Sequence, residues 1–165
     1  MDIKYLCTYW GSEDLSAKAF LDKVLSHGFD GVEINFPDDQ QFVDEFMSEL
    51  ERIRQTSHPS FIFIAQQVLS NERESVDAYK ERLTNRLNFL VGLQPNAINS
   101  HTGKDFFDFD ANVDILHLTE EITAKSGIPI WHEIHRGRFS FHLRTLLDYL
   151  NIFPNLKLIA DLSHF

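Results

Sequence analysis

Short apolar runs alternate along this chain with longer stretches whose apolar residues recur at helical spacing. Residues 3–9 read as a strand. Ser16 can cap a helix built on Ala17, Phe20, Leu21, Val24 and Leu25, with Gly28 as its stop. Residues 31–36 form a second strand, and Pro37 opens a helix carrying Phe42, Phe46, Leu50 and Ile53 on one stripe. A third strand covers 61–66. A long helix follows from about Glu72, with Val76, Tyr79, Leu83, Leu87 and Leu90 on its buried face. A short fourth strand lies at 97–100. The next helix uses Val113, Leu116 and Ile122 and ends near Gly127. A fifth strand spans 128–134. Phe141, Leu143, Leu146, Leu147 and Leu150 mark a fifth helix that stops before Pro154, and residues 156–160 form a sixth strand.

Strict alternation of strand and helix implies parallel strands joined by right-handed crossovers. The third strand, Phe61-Ile62-Phe63-Ile64-Ala65, is apolar at consecutive positions, as expected when helices cover both sheet faces. An open doubly wound sheet and a (β/α) TIM barrel both fit. The first strand-to-helix turn, Tyr9-Trp10-Gly11-Ser12, lacks the glycine-rich phosphate cradle of a dinucleotide fold. Polar residues instead collect where nearly every strand ends, which is the barrel arrangement. A full barrel takes roughly 250 residues, and this chain has 165. The expectation is one domain, 1–165, that stops before strands seven and eight. Strands one and six would then be open edges, able to pair with another copy of the chain.

Composition narrows the class. A net charge of -10 opposes a nucleic-acid partner, which requires a positive surface. No apolar stretch is long enough to span a membrane, and residues 1–4 do not begin a secretory signal. Cys7 is the single cysteine, which points to a reducing compartment, the cytoplasm. The 15 phenylalanines suit a bulky core or reflect composition drift alone.

The chemistry gathers at two strand ends, His132-Glu133-Ile134-His135 and Asp161-Leu162-Ser163-His164. Alternation puts Trp131, Glu133 and His135 on one face of the fifth strand and His132 on the other. A carboxylate with an imidazole can hold a divalent ion or move protons. Asp161 and His164 would face opposite ways in an extended chain, but a turn at the strand exit lets them converge. Asp161 could equally cap a following helix. His132 is a candidate to orient Glu133.

The runs Ile128-Pro129-Ile130-Trp131-His132-Glu133-Ile134-His135-Arg136-Gly137-Arg138 and Leu158-Ile159-Ala160-Asp161-Leu162-Ser163-His164 resemble the xylose isomerase-like TIM-barrel superfamily, the sugar phosphate isomerase/epimerase group. Gly28-Phe29-Asp30-Gly31-Val32-Glu33-Ile34 is similar to its second-strand signature, and Ile98-Asn99-Ser100-His101-Thr102-Gly103 to its fourth strand. The resemblance implies metal ligation by Glu133, Asp161 and His164, with Glu133 and His164 also catalytic. It implies that His101, His135 and Arg136 line the substrate site. Members usually add a histidine on strand seven and a glutamate on strand eight. Three further candidates come from their positions. Trp10 follows strand one and either stacks on a sugar face or packs at the rim. Glu33 ends strand two and either reaches the pocket or pairs with a neighbouring strand. Gln66 ends strand three and can bond substrate hydroxyls.

The implied activity is metal-dependent isomerisation or epimerisation of a keto or aldo sugar or sugar phosphate. A divalent cation (Mn, Mg, Co or Zn) would polarise the carbonyl next to the carbon that exchanges its proton. An apurinic endonuclease-like zinc hydrolase is the rival on the same fold. It would be expected to end strand three in a histidine, where this chain has Gln66 and Gln67. An inactive or ligand-binding partial barrel is the third reading.

Overall fold

The computed structural model describes residues 2–70 and 73–164. Glu72, the expected start of the third helix, and Phe165 lie outside the described residues. The chain falls into two compact units, one up to Gln66 and one from Gln67 on.

The first unit contains β1 (Leu6–Thr8), α1 (Ala17–Ser26), β2 (Gly31–Ile34), α2 (Gln40–Thr56) and most of β3 (Ile62–Gln67). Parallel ladders pair Cys7 with Val32 and Val32 with Phe63. Ser16 caps α1 as expected, accepting the Ala19 amide at 3.2 Å. The start of α2 corrects the reading from Pro37: Asp39 is the cap, accepting the Gln41 and Phe42 amides. A carboxylate can receive two amides at once, which proline at the first helical position cannot match. The phenylalanines are structural here. Phe36 meets Phe46 and Phe63 edge to face at 5.1 and 5.9 Å, inside a core that also buries Phe20, Leu50 and Ile53.

The second unit contains β4 (Ala97–Ser100), α3 (Val76–Gly92), α4 (Phe109–Ser126), β5 (Ile130–Glu133), α5 (Leu143–Ile152), β6 (Leu158–Ile159) and a 3-10 turn over Leu162–His164. Within the first unit β1, β2 and β3 are neighbours in chain order, within the second β4, β5 and β6 are, and every described ladder is parallel. Ser75 caps α3, and Gly127 ends α4 at φ 74°, a left-handed conformation that suits glycine. Leu116, Phe139, Leu146, Tyr149 and Phe153 form its buried cluster, in which Phe109 stacks on Tyr149 at 4.5 Å. Strands β1, β2, β5 and β6 are shorter than the apolar runs that announced them.

Register decides what each face carries. Asn99 pairs with Trp131 and Ser100 with His132. Asn99 and Glu133 therefore share one face, and Ser100 and His132 the other. On the second face a buried chain of hydrogen bonds runs from Gln67 Oε1 to Ser100 Oγ (2.7 Å), Thr102 Oγ1 (2.7 Å) and His132 Nδ1 (2.8 Å). This corrects the candidate role of His132: it bonds Thr102, not Glu133. Two glycines are required by close approach. A Cβ on Gly31 would lie against the Ile62 carbonyl oxygen, and one on Gly103 (φ 65°) against Asn112 Oδ1.

Two predictions follow from these placements. Gly31→Ala should lower stability by about 1–3 kcal/mol in urea unfolding, because strand β2 must move away from β3. Burial pushes the His132 imidazole down to about 4 from its ordinary 6.5. Between those values the unfolded chain binds a proton that the folded chain refuses, so stability falls as pH drops from about 6.5 to about 4 and levels off below. The full span is about 3 kcal/mol. His132→Gln should remove that share of the slope when unfolding is followed across pH 4–7.5, and an unchanged slope would contradict the assignment.

Candidate metal centre

Glu133 is the last residue of β5 and is only 6% exposed. Its Oε2 accepts two hydrogen bonds, from Asn99 Nδ2 at 2.6 Å and from His101 Nε2 at 3.0 Å. A carboxylate cannot donate, so His101 carries its proton on Nε2 in this contact. Burial pushes the Glu133 carboxyl up, but the bonds from His101 and Asn99 and the nearby imidazoles outweigh it, and the net shift is downward. Glu133 is thus held ionised, as a cation ligand must be.

Asp161 follows β6, and the chain turns there into the 3-10 segment. Its Oδ1 accepts the Ser163 amide at 2.8 Å, and its Oδ2 lies 3.3 Å from His164 Nε2. Both readings of Asp161 hold at once: one oxygen caps the turn, and that turn brings His164 back beside the other. The Ser163 amide holds the Asp161 carboxyl below its usual range. Glu133, Asp161 and His164 each present a ligand atom within 4.8 Å of the others. A second group of the same compactness is His101, Glu133 and His135. The three imidazoles stand in a row, His101 to His135 at 4.5 Å and His135 to His164 at 4.1 Å between ring centroids. Burial, and more weakly the other two imidazoles, hold the His135 pKa below its ordinary range.

The donor set suits a divalent ion on an observation of its own. His164 Nδ1 is buried without a hydrogen-bond partner among the described residues, and the Glu133 and Asp161 carboxylates lie beside that ring. A buried polar atom without a partner is costly, and a cation drawn to the two neighbouring carboxylates would satisfy it. Carboxylate oxygen with imidazole nitrogen fits Mn, Mg, Co or Zn.

The remaining expected site residues are distributed differently. Arg136 is exposed, and only its carbonyl takes part locally, receiving His135 Nδ1–H at 2.7 Å. The buried arginine of that loop is Arg138, which donates to the Leu69 carbonyl at 3.2 Å. Trp10, Glu33 and Gln66 belong to the first unit. Trp10 is 58% exposed and donates from Nε1 to Gln66 Oε1 at 3.0 Å. It lines a cleft of about 580 Å³ with Tyr9, Phe36, Phe42 and the carboxylates Glu13 and Asp39. Glu33 is half-buried on β2. Asn99, Arg138 and the fully buried Lys104, whose Nζ donates to the Ser70 carbonyl at 3.3 Å, escaped the sequence reading. For Asn99 the available signal was parity, two strand positions before His101.

Three proteins stand among the solved structures to which this chain is similar. The probable 3-DHS dehydratase AsbF of petrobactin synthesis in Bacillus anthracis matches at TM-score 0.76 and 17% identity, over 99% of this chain and 64% of that one. A D-tagatose 3-epimerase-like protein matches at 0.73 and 18%, over 98% and 66%. The IolI protein, solved with a bound zinc atom, matches at 0.72 and 18%, over 99% and 64%. The chain shares the parallel α/β fold of these proteins. The chain carries six strands of that fold and spans just under two thirds of the length of these relatives. No protein-family model and no curated protein sequence matches it. No helix among the described residues is long and apolar enough to cross a membrane.

The grouping carries its own prediction. Glu133→Ala and Asp161→Ala should each weaken Mn²⁺ or Co²⁺ binding by tenfold or more in calorimetric titration, whereas Arg136→Ala should leave it unchanged. Equal affinities in all three would show that the cation site lies elsewhere.

Proposed function

We propose that this chain supplies the metal-holding part of a sugar isomerase or epimerase acting on a keto or aldo sugar or its phosphate. The observation that carries this reading is the convergence of Glu133, Asp161 and His164 at the ends of adjacent parallel strands. Support comes also from the names of the structural relatives, an epimerase-like protein and a probable dehydratase, and from the zinc atom in the third. Glu133, Asp161 and His164 would hold a divalent cation. When bound, the ion supplies Lewis-acid polarisation of a carbonyl and its neighbouring hydroxyl.

The chain's own residues do the rest. Glu133 and His164 would take and return the proton at the carbon next to the carbonyl. The stacked rings of His101 and His135 offer hydrogen bonds to substrate oxygens. In the first unit Trp10 and Gln66, bonded to each other, would offer a stacking face and a hydrogen-bonding edge to a sugar. A cytoplasmic setting belongs to the same reading, supported by the lone Cys7. The rival zinc hydrolase is disfavoured by β3, which ends in Gln66 and Gln67 rather than histidine, and by the net charge of -10.

Solvent exchange tests the proposal. With Mn²⁺ or Co²⁺ present, a ketose substrate in D₂O should gain deuterium at the carbon beside its carbonyl, followed by NMR. Chelation should stop the exchange, and Glu133→Gln should slow it at least 100-fold. Exchange that survives chelation would contradict the mechanism. Metal binding without exchange for any aldose or ketose would favour a ligand-binding barrel.

A further inference from the structure

We infer that Asn99 is the positioning residue of the metal centre: together with His101 it clamps one oxygen of Glu133 and leaves the other as the single oxygen offered to a cation. This rests on the metal-holding role proposed for Glu133.

The geometry is specific. Asn99 Nδ2 and His101 Nε2 both reach the same atom, Oε2, at 2.6 and 3.0 Å. Among the described residues Oε1 accepts no hydrogen bond. Asn99 is 1% exposed and sits mid-strand in β4, so packing fixes its rotamer. The ladder pairs it with Trp131, two positions before Glu133 on the same face, and that register aims the amide along the sheet at the carboxylate. An amide N–H is the donor suited to this task. It is neutral, it does not titrate, and it cannot compete for the cation as an imidazole lone pair would.

The clamp also decides between the two compact groups of ligands. While His101 Nε2–H is bonded to Glu133, that nitrogen has no lone pair for a metal. The set His101, Glu133 and His135 is therefore a carboxylate holder with a neighbouring ring. The set Glu133, Asp161 and His164 remains as the cation seat. The centre would hold one ion on these residues, with Glu133 Oε2 occupied by its two donors.

Co²⁺ serves as the probe, because its visible absorption reports ligand geometry. Asn99→Ala and the isosteric Asn99→Asp are compared with the unaltered chain and with Glu133→Ala. Asn99→Ala should weaken Co²⁺ binding about 10–100-fold and shift the absorption bands, since Glu133 becomes free to rotate or to bind through both oxygens. A purely structural role would lower stability without moving the bands of the loaded protein. Asn99→Asp should weaken binding further, because two carboxylates then face each other. One Co²⁺ should bind per chain on this site. Unchanged affinity and spectrum in both Asn99 variants, with Glu133→Ala impaired, would overturn the clamp while leaving the metal centre intact. An unimpaired Glu133→Ala would overturn the metal reading itself. Should the variants fail to fold, the unaltered chain still decides. One side-chain amide proton of Asn99 should be shifted downfield and protected from exchange in ¹⁵N NMR, and its absence would overturn the proposal.

Discussion

Burying the Glu133 carboxylate is the constraint on which the second unit turns. An ionised carboxyl removed from water is tolerated only when donors or a cation compensate it. The fold supplies two donors, and both come from the end of β4. Their delivery depends on the parallel register between β4 and β5, since a slip of one residue would exchange Asn99 for Ser100 and Glu133 for His132. The opposite face is arranged to prevent such a slip. There Ser100, Thr102 and His132 bond one another and Gln67 in a dry layer, and the buried imidazole is kept neutral. The two faces of one strand pair thus hold opposite chemistry, a charged side that can receive a cation and an uncharged side that locks the register.

The loops after β4 and β5 extend the same logic. Gly103 turns where any side chain would strike Asn112, and the Asn112 amide then clamps the Lys104 backbone from both sides, at 3.2 and 2.9 Å. Ser140 Oγ donates to the Glu133 carbonyl at 2.7 Å and ties the following loop to the ligand strand. His135 is held over His101 and His164 although it lies beyond the strand. These contacts fix the strand exits, where a site of small hydrogen-bonding groups needs rigid support.

Much of this was legible in the order of residues. Alternating apolar periodicities gave the βα repeat, and Ser16 and Gly127 marked helix ends by the chemistry of their caps. Glu133, Asp161 and His164 stood out as polar residues where apolar strands should leave the core. Three things were hidden. Strand lengths were overread at residues 3–9 and 128–134, because apolar runs do not mark where the regular ladder ends. His132 was a candidate to orient Glu133, although alternation already sends the two to opposite faces, and its Thr102 partner lies thirty residues away in sequence. Asn99 and Arg138 were passed over because their importance comes from register and burial, which no single motif announces, and Arg136 was preferred to Arg138 with nothing in the sequence to say which would turn inward.

The account stands or falls on where one cation binds. Crystals grown with Zn²⁺ or Co²⁺, with data collected at the metal's absorption edge, locate the ion directly. One anomalous peak is expected about 2.0–2.2 Å from one oxygen of Glu133 and one of Asp161, with His164 beside it and His101 still bonded to the other Glu133 oxygen. A peak bound by His101 Nε2 and His135, away from Asp161, would contradict it.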